Sequence, residues 1–227
     1  MEEHIVIYED NHLLALNKPA GWLVQGDRTG DATLTMWAEA YLREKYAKPG
    51  KVFVHPVHRL DRPVSGLTLF ARTSKALSRL TTAFRERRVT KIYLALTLAA
   101  PPTREGELRH YLLKDEQRNR VRIVRAQVKG AHEAILAYRW RGAVHGMHLL
   151  EIWPHTGRPH QIRAQLAAIG CPIVGDLKYG APTPLPQGEV ALHSLSLRLE
   201  HPVRQELLIL EAPLPVAAYW TAVKELL

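Results

Sequence analysis

His58-Arg59-Leu60-Asp61-Arg62-Pro63-Val64-Ser65-Gly66-Leu67-Thr68-Leu69-Phe70-Ala71 is a charged, proline-broken loop that runs directly into an apolar stretch. Pro63 removes an amide donor, and Gly66 admits backbone angles closed to other residues, so the first half reads as a loop. Residues 66–71 then read as a strand. Thr73 or Ser74 caps a following helix whose Leu77, Leu80 and Phe84 form an apolar stripe. A strand entered from a loop and left through a capped helix sets the pattern for the rest of the chain.

Upstream, residues 5–18 read as two short strands around Glu9-Asp10-Asn11, and Asn17-Lys18-Pro19-Ala20-Gly21 breaks the chain. Thr33 caps a helix carrying Leu34, Trp37 and Tyr41. Downstream, residues 91–97 return to strand, with Tyr93 between Ile92 and Leu94. Residues 101–131 are polar and rich in arginine and lysine, and read as surface hairpins or loops. Residues 134–138 and 147–153 read as paired strands. Residues 159–169 read as a helix, with Pro159 suited to its first turn and Gly170 to its stop. Strands near 190–199 and 206–210 follow, then a helix over 217–227. Strands outnumber helices and several pairs are joined by short turns. The expected class is α+β with a largely antiparallel sheet, and a doubly wound fold is disfavoured.

The chain has 227 residues, 46% of them hydrophobic, enough to bury a real core. Lys and Arg number 31 against 22 Asp and Glu, a formal net charge of +9. A basic domain attracts polyanions, and nucleic acid is the commonest of these. The single cysteine, Cys171, excludes an internal disulfide framework and CxxC zinc spacing. The first ten residues lack the basic and apolar regions of a signal peptide, and no apolar run reaches the length of a membrane span. A cytoplasmic protein without a membrane partner is the expectation. No heptad or obvious interface pattern is visible, so a monomer is the default.

The chemistry sits in the quoted loop. Asp61 lies between Arg59 and Arg62, and two flanking guanidiniums would keep a carboxylate ionised and available as nucleophile or base. A surface salt-bridge loop explains the same residues. The spacing of His55, His58 and Asp61 also suggests a metal cluster, but Pro56 and Pro63 interrupt any helix that would align them, and no second ligand group has suitable spacing. No metal and no cofactor are expected. A metal-dependent hydrolase using the twelve histidines would have predicted chelator sensitivity.

HRLDRPVSGL resembles the HRLDxxTSGL signature of the RluA family of pseudouridine synthases, with Val64 where the family usually has Thr. Asn17-Lys18-Pro19-Ala20-Gly21 resembles the family's NKPxG element, and Lys91-Ile92-Tyr93-Leu94-Ala95 its KxYxA strand. Thr156-Gly157-Arg158-Pro159-His160-Gln161-Ile162-Arg163 resembles its TGRxHQIR element, with Gln165 where the family often has His. Gly175-Asp176-Leu177-Lys178-Tyr179-Gly180, Leu192-His193 and His201-Pro202 are similar to later landmarks. These elements keep family order across nearly the whole chain.

The resemblance implies a pseudouridine synthase fold: one catalytic domain over residues 1–227, its mixed sheet flanked by helices and loops, with an active-site cleft across the sheet and no N-terminal S4 domain. It implies an enzyme that detaches uracil from C1′ of a uridine in structured RNA, in tRNA or ribosomal RNA, turns it and rejoins it through C5. It implies Asp61 as nucleophile, Arg163 as the arginine that pairs with that aspartate, and Tyr93 packed against the target base. On the substrate side it implies Arg59 helping to displace the base, Arg62 on phosphate, and His58, Arg158 and His160 on RNA. Arg62-Pro63 is similar to the family's tRNA-modifying branch. On helical geometry, Ile162, Leu166 and Ile169 share one face while His160 and Arg163 point to another. A catalytically silent RNA-binding protein of the same fold is the alternative.

Overall fold

A computed structural model describes residues 5–27 and 29–227. Among them are eleven strands and four α-helices. The chain divides into two compact units: the described residues of Met1–Thr90 with Ser194–Leu214, and Lys91–His193 with Pro215–Leu227.

In the first unit β1 (Val6–Glu9) and β2 (Leu13–Lys18) flank the expected turn, where Asp10 accepts from the amides of His12 and Leu13. Helix α1 (Leu34–Lys45) begins where Thr33 accepts from the amide of Met36, as its position before the apolar stripe predicts. After the two-residue β3 (His55–Pro56) comes β4 (Ser65–Ala71), the strand of the quoted stretch, and then α2 (Ser74–Arg85), capped by Thr73. Strand β4 pairs antiparallel with β2, Leu13 opposite Ala71 and Lys18 opposite Gly66. Every residue of β4 is buried, which is why it reads as a continuous apolar run and not as an alternation. Leu67, Leu69 and Ala71 on one face pack with Leu13 and Ala15 of β2 and with Ala76, Leu80 and Ala83 of α2.

The second unit is an antiparallel array. Strands β5 (Thr90–Thr97), β9 (Met147–Pro154), β8 (His132–Val144), β6 (Glu105–Asp115) and β7 (Arg120–Val124) lie in that order, so β7 is an edge. Strand β6 is eleven residues long and pairs with β7 as a hairpin in the region that reads as surface hairpins or loops. Its exposed residues alternate with half-buried ones, so charge masks a two-residue period. Helix α3 (Gln161–Ala168) starts later than expected. Pro159 lies outside it, and the cap is His160 in the left-handed region, at φ 49°. Its C-terminal stop at Gly170, φ 78°, is as expected.

Back in the first unit, β10 (Leu192–Glu200), most of which belongs to it, pairs with β11 (Leu207–Glu211). The expected last helix is shorter: α4 (Ala218–Ala222), then a 3-10 turn, Lys224–Leu226. The class is the expected α+β with largely antiparallel strands. No helix among the described residues is long and apolar enough to cross a membrane.

Candidate active site

In the first unit the β2–β4 register brings residues 17–21 beside the loop that carries Asp61. The amide of Gly21 donates to the carbonyl of Arg62 at 2.8 Å, and Arg62 Nε returns a bond to the carbonyl of Gly21 at 3.0 Å. A turn closed from the Val64 amide to the Asp61 carbonyl, at 3.0 Å, presents Asp61, which is half-buried. The guanidinium of Arg62 also pairs with Asp31 at 2.7 Å, both groups about half exposed. Arg59 is exposed. His58 stacks on Phe84 at 5.2 Å between ring centres, and its Nε2 accepts from the amide of Leu69. That bond makes its Nε2 an acceptor and so places any single ring proton on Nδ1.

The residue of this unit that the sequence reading quoted within a motif but gave no role is Lys18. It is fully buried, and its Nζ donates to the carbonyls of Pro19 and Trp22 at 2.9 Å and of Arg62 at 3.2 Å. Burial pushes its pKa down to about 7; Asp61 draws it back up and Arg62 presses it further down. A lysine closing an otherwise apolar strand, just before Pro-Ala-Gly, was the available signal. At Gly66 the backbone has φ 112°, and an added Cβ would lie 2.3 Å from the carbonyl oxygen of Ser194. This glycine lets β10 pass against the end of the signature loop.

In the second unit Tyr93 is 9% exposed on β5, opposite Ile152 of β9. The segment before α3 is pinned to β8. Thr156 Oγ1 accepts from the Ile135 amide at 2.9 Å and donates to Gln161 Oε1 at 2.7 Å, while Gln161 Nε2 donates to the Ile135 carbonyl. Arg158 Nε donates to the Glu133 carbonyl at 3.0 Å. Arg163 is only 4% exposed, so it is not on a solvated face. Its Nε and Nη2 form a fork to the two carboxylate oxygens of Asp176 at 2.7 and 2.8 Å. His160 Nδ1 bonds the hydroxyl of Tyr179 at 2.9 Å. Gln165 ties α3 to β6 and β8 through Leu108, His110 and Ala134. Thus His160 and Arg163 share Tyr179 as a neighbour, Arg163 also grips Asp176, Arg158 turns toward β8, and Tyr93 stands on β5. Among the described residues no group of three or more His, Cys, Asp or Glu is placed to hold a metal ion.

A half-buried carboxylate presented on a tight turn can attack carbon or take a proton. A buried tyrosine ring offers a flat face to a base.

Comparison with known proteins gives the same direction. The RNA pseudouridylate synthase family model matches residues 12–168. A mitochondrial pseudouridylate synthase of Xenopus tropicalis is 37% identical over 196 residues, 77% of this chain and 59% of that protein. A ribosomal large subunit pseudouridine synthase C of Rickettsia felis is 35% identical over 212 residues, 92% of this chain and 67% of that protein. The solved structure of human RNA pseudouridylate synthase domain containing 4 superposes with a TM-score of 0.80 at 25% identity, covering 97% of this chain and 92% of that one. The motifs, the matched span and the shared fold together place this chain in the RNA pseudouridylate synthase family.

Proposed function

We propose that the protein converts a specific uridine of structured RNA to pseudouridine, with Asp61 as nucleophile and Tyr93 and Arg163 as its catalytic companions. The observation that carries this is Asp61 itself: within a family match over residues 12–168, it is presented on a tight turn beside the buried Lys18. The reaction breaks the bond from N1 to C1′ and forms one from C5 to C1′. The proton at C5 leaves and N1 gains one, so nothing is oxidised or reduced. Asp61 serves either by attacking C1′ or by helping to form a glycal, and both routes need an ionised carboxylate close to the sugar. Arg163 carries the charge expected of the aspartate's partner, and Tyr93 offers its ring to the base. Arg59, Arg62, His58, Arg158 and His160 are assigned to RNA.

Large-subunit ribosomal RNA is the first substrate to test, because the Rickettsia relatives carry it in their names, with tRNA second. The cytoplasm is the proposed compartment. The test compares pseudouridine maps of total rRNA and tRNA from cells with the wild-type protein, with Asp61→Asn, and with neither. One position that is pseudouridine in the first and uridine in the other two is the expected result. Identical maps in all three would remove the catalytic reading and leave RNA binding to be examined by crosslinking.

A further inference from the structure

Tyr179, at the end of the 3-10 turn Leu177–Tyr179, is 6% exposed and reaches four places at once within the second unit. Its hydroxyl accepts from the amide of Val121 in β7 at 2.8 Å. The same hydroxyl bonds His160 Nδ1 at 2.9 Å, at the left-handed start of α3. Its ring lies 5.2 Å from the guanidinium carbon of Arg163, and 5.2 Å from that of Arg120. One aromatic ring therefore carries a cation–π contact to a buried arginine and another to an exposed one. The next residue back, Lys178, donates from Nζ to the Asn119 carbonyl at 2.9 Å, a second tie to the same hairpin. Asp176, three residues before Tyr179, is the carboxylate that grips Arg163.

The hairpin has a chemistry of its own. Arg118, Arg120, Arg122, Arg125 and Lys129 are exposed, and among the described residues none of them makes an ion pair. Arg120 and Arg122 lie two apart on the edge strand, so they stand on one face about 7 Å apart. Such a row takes phosphates. Leu112 and Val121 of the hairpin form one small core with Ala134, Ala164 and Tyr179, so hairpin and helix move as a packed set.

We propose that Tyr179 is a positioning residue: it sets Arg163 for the isomerisation and couples that setting to RNA phosphate seated on the β6–β7 hairpin. This rests on the pseudouridine synthase reading of Asp61 and Arg163. Phosphate drawn to Arg120 reorients the guanidinium above the ring, and the Val121 and His160 bonds to the hydroxyl fix where the ring stands. A residue that only filled the core would change stability and nothing else.

The test uses total rRNA and tRNA from cells lacking the protein, labelled with tritium at uridine C5, which pseudouridine formation releases to water. Full-length enzyme in excess gives a saturating single-turnover rate and a half-saturating concentration. Tyr179→Leu removes ring and hydroxyl, and lowers the saturating rate about tenfold while the half-saturating concentration changes less than about threefold. Tyr179→Phe keeps the ring, loses both hydroxyl bonds and falls about threefold. Arg120→Gln lowers rate and affinity in the wild-type background, but only affinity in the Tyr179→Leu background. Wild-type saturating rates in both Tyr179 variants overturn the proposal, as does an effect confined to half-saturation. If Tyr179→Leu does not fold, Tyr179→Phe decides by the same criterion. A silent wild-type enzyme overturns the synthase reading, and this proposal with it, and the wild-type control tells that failure from one at Tyr179.

Discussion

Lys18 shows how one buried side chain can tie two loops together. Three carbonyls converge on its Nζ, and an ammonium has three donors to meet them. Replacement by methionine takes this donor from the Pro19 and Trp22 carbonyls, while the Arg62 carbonyl keeps the Gly21 amide, and costs about 1–3 kcal/mol of unfolding free energy. The pH dependence has a definite sign. In the folded chain the group titrates near 7, and in the unfolded chain at its ordinary 10.5. Between those values the unfolded state binds more protons, so stability from this group rises with pH, and below about 7 it stays at its lower level. Urea unfolding at pH 7.5 and 9.5 should therefore show the gap between wild type and Lys18→Met widening at the higher pH. A constant gap would mean that Lys18 keeps its proton in the folded protein across that range. Gly66 makes a sharper case. A Cβ 2.3 Å from a backbone oxygen has no flexible neighbour to yield, so Gly66→Ala should lower the thermal midpoint by more than 10 °C, with loss of soluble protein as the cruder readout.

At the scale of elements, caps and periodicity were easy to read. Thr33 and Thr73 stand where they cap α1 and α2, and Gly170 where it stops α3. The misreadings have physical causes. Pro159 suits a first helical turn, but Gln161 binds back to Thr156 and to the Arg158 amide, and that bonding delays the helix until His160 has turned through the left-handed region. Strand β6 was left open between surface hairpin and loop because one of its faces is wet, and the hairpin is what forms. The loop that carries Asp61 was legible through Asp61, Pro63 and Gly66 in one short stretch. Tyr179 stands in a quoted landmark, but its contacts were not legible, since the amide it binds lies 58 positions away and no local pattern announces so distant a pairing. Helix α3 itself offers a test. Its residues 161–166 are all buried, and the fork from Arg163 to Asp176 holds it against the 3-10 turn. Asp176→Asn takes one carboxylate from a buried, bidentate ion pair and should cost about 3–5 kcal/mol in chemical unfolding. A loss under about 1 kcal/mol would show that water reaches the pair.

For the whole molecule, the net charge of +9 matters less than where it is left unpaired. Arg109 answers to Glu107 and Glu133, Lys114 to Glu116 and Arg139 to Glu105, so these arginines and this lysine add little field. Arg118, Arg122, Arg125 and Lys129 have no such answer among the described residues. If these four meet phosphate, each releases counterions from the RNA, and the logarithm of affinity falls with the logarithm of salt by about 0.7–0.9 per contact. Changing all four to glutamine should then flatten the slope by about 3. Discrimination between RNAs should be little changed, because phosphate contacts place an RNA without reading its bases. The saturating rate should also hold, since none of the four rests on Tyr179. Filter binding across a salt series gives the slope, and tritium release at saturating enzyme gives the rate. An unchanged slope would mean that the RNA does not cross this hairpin and that the hairpin's charge is only a solvated surface.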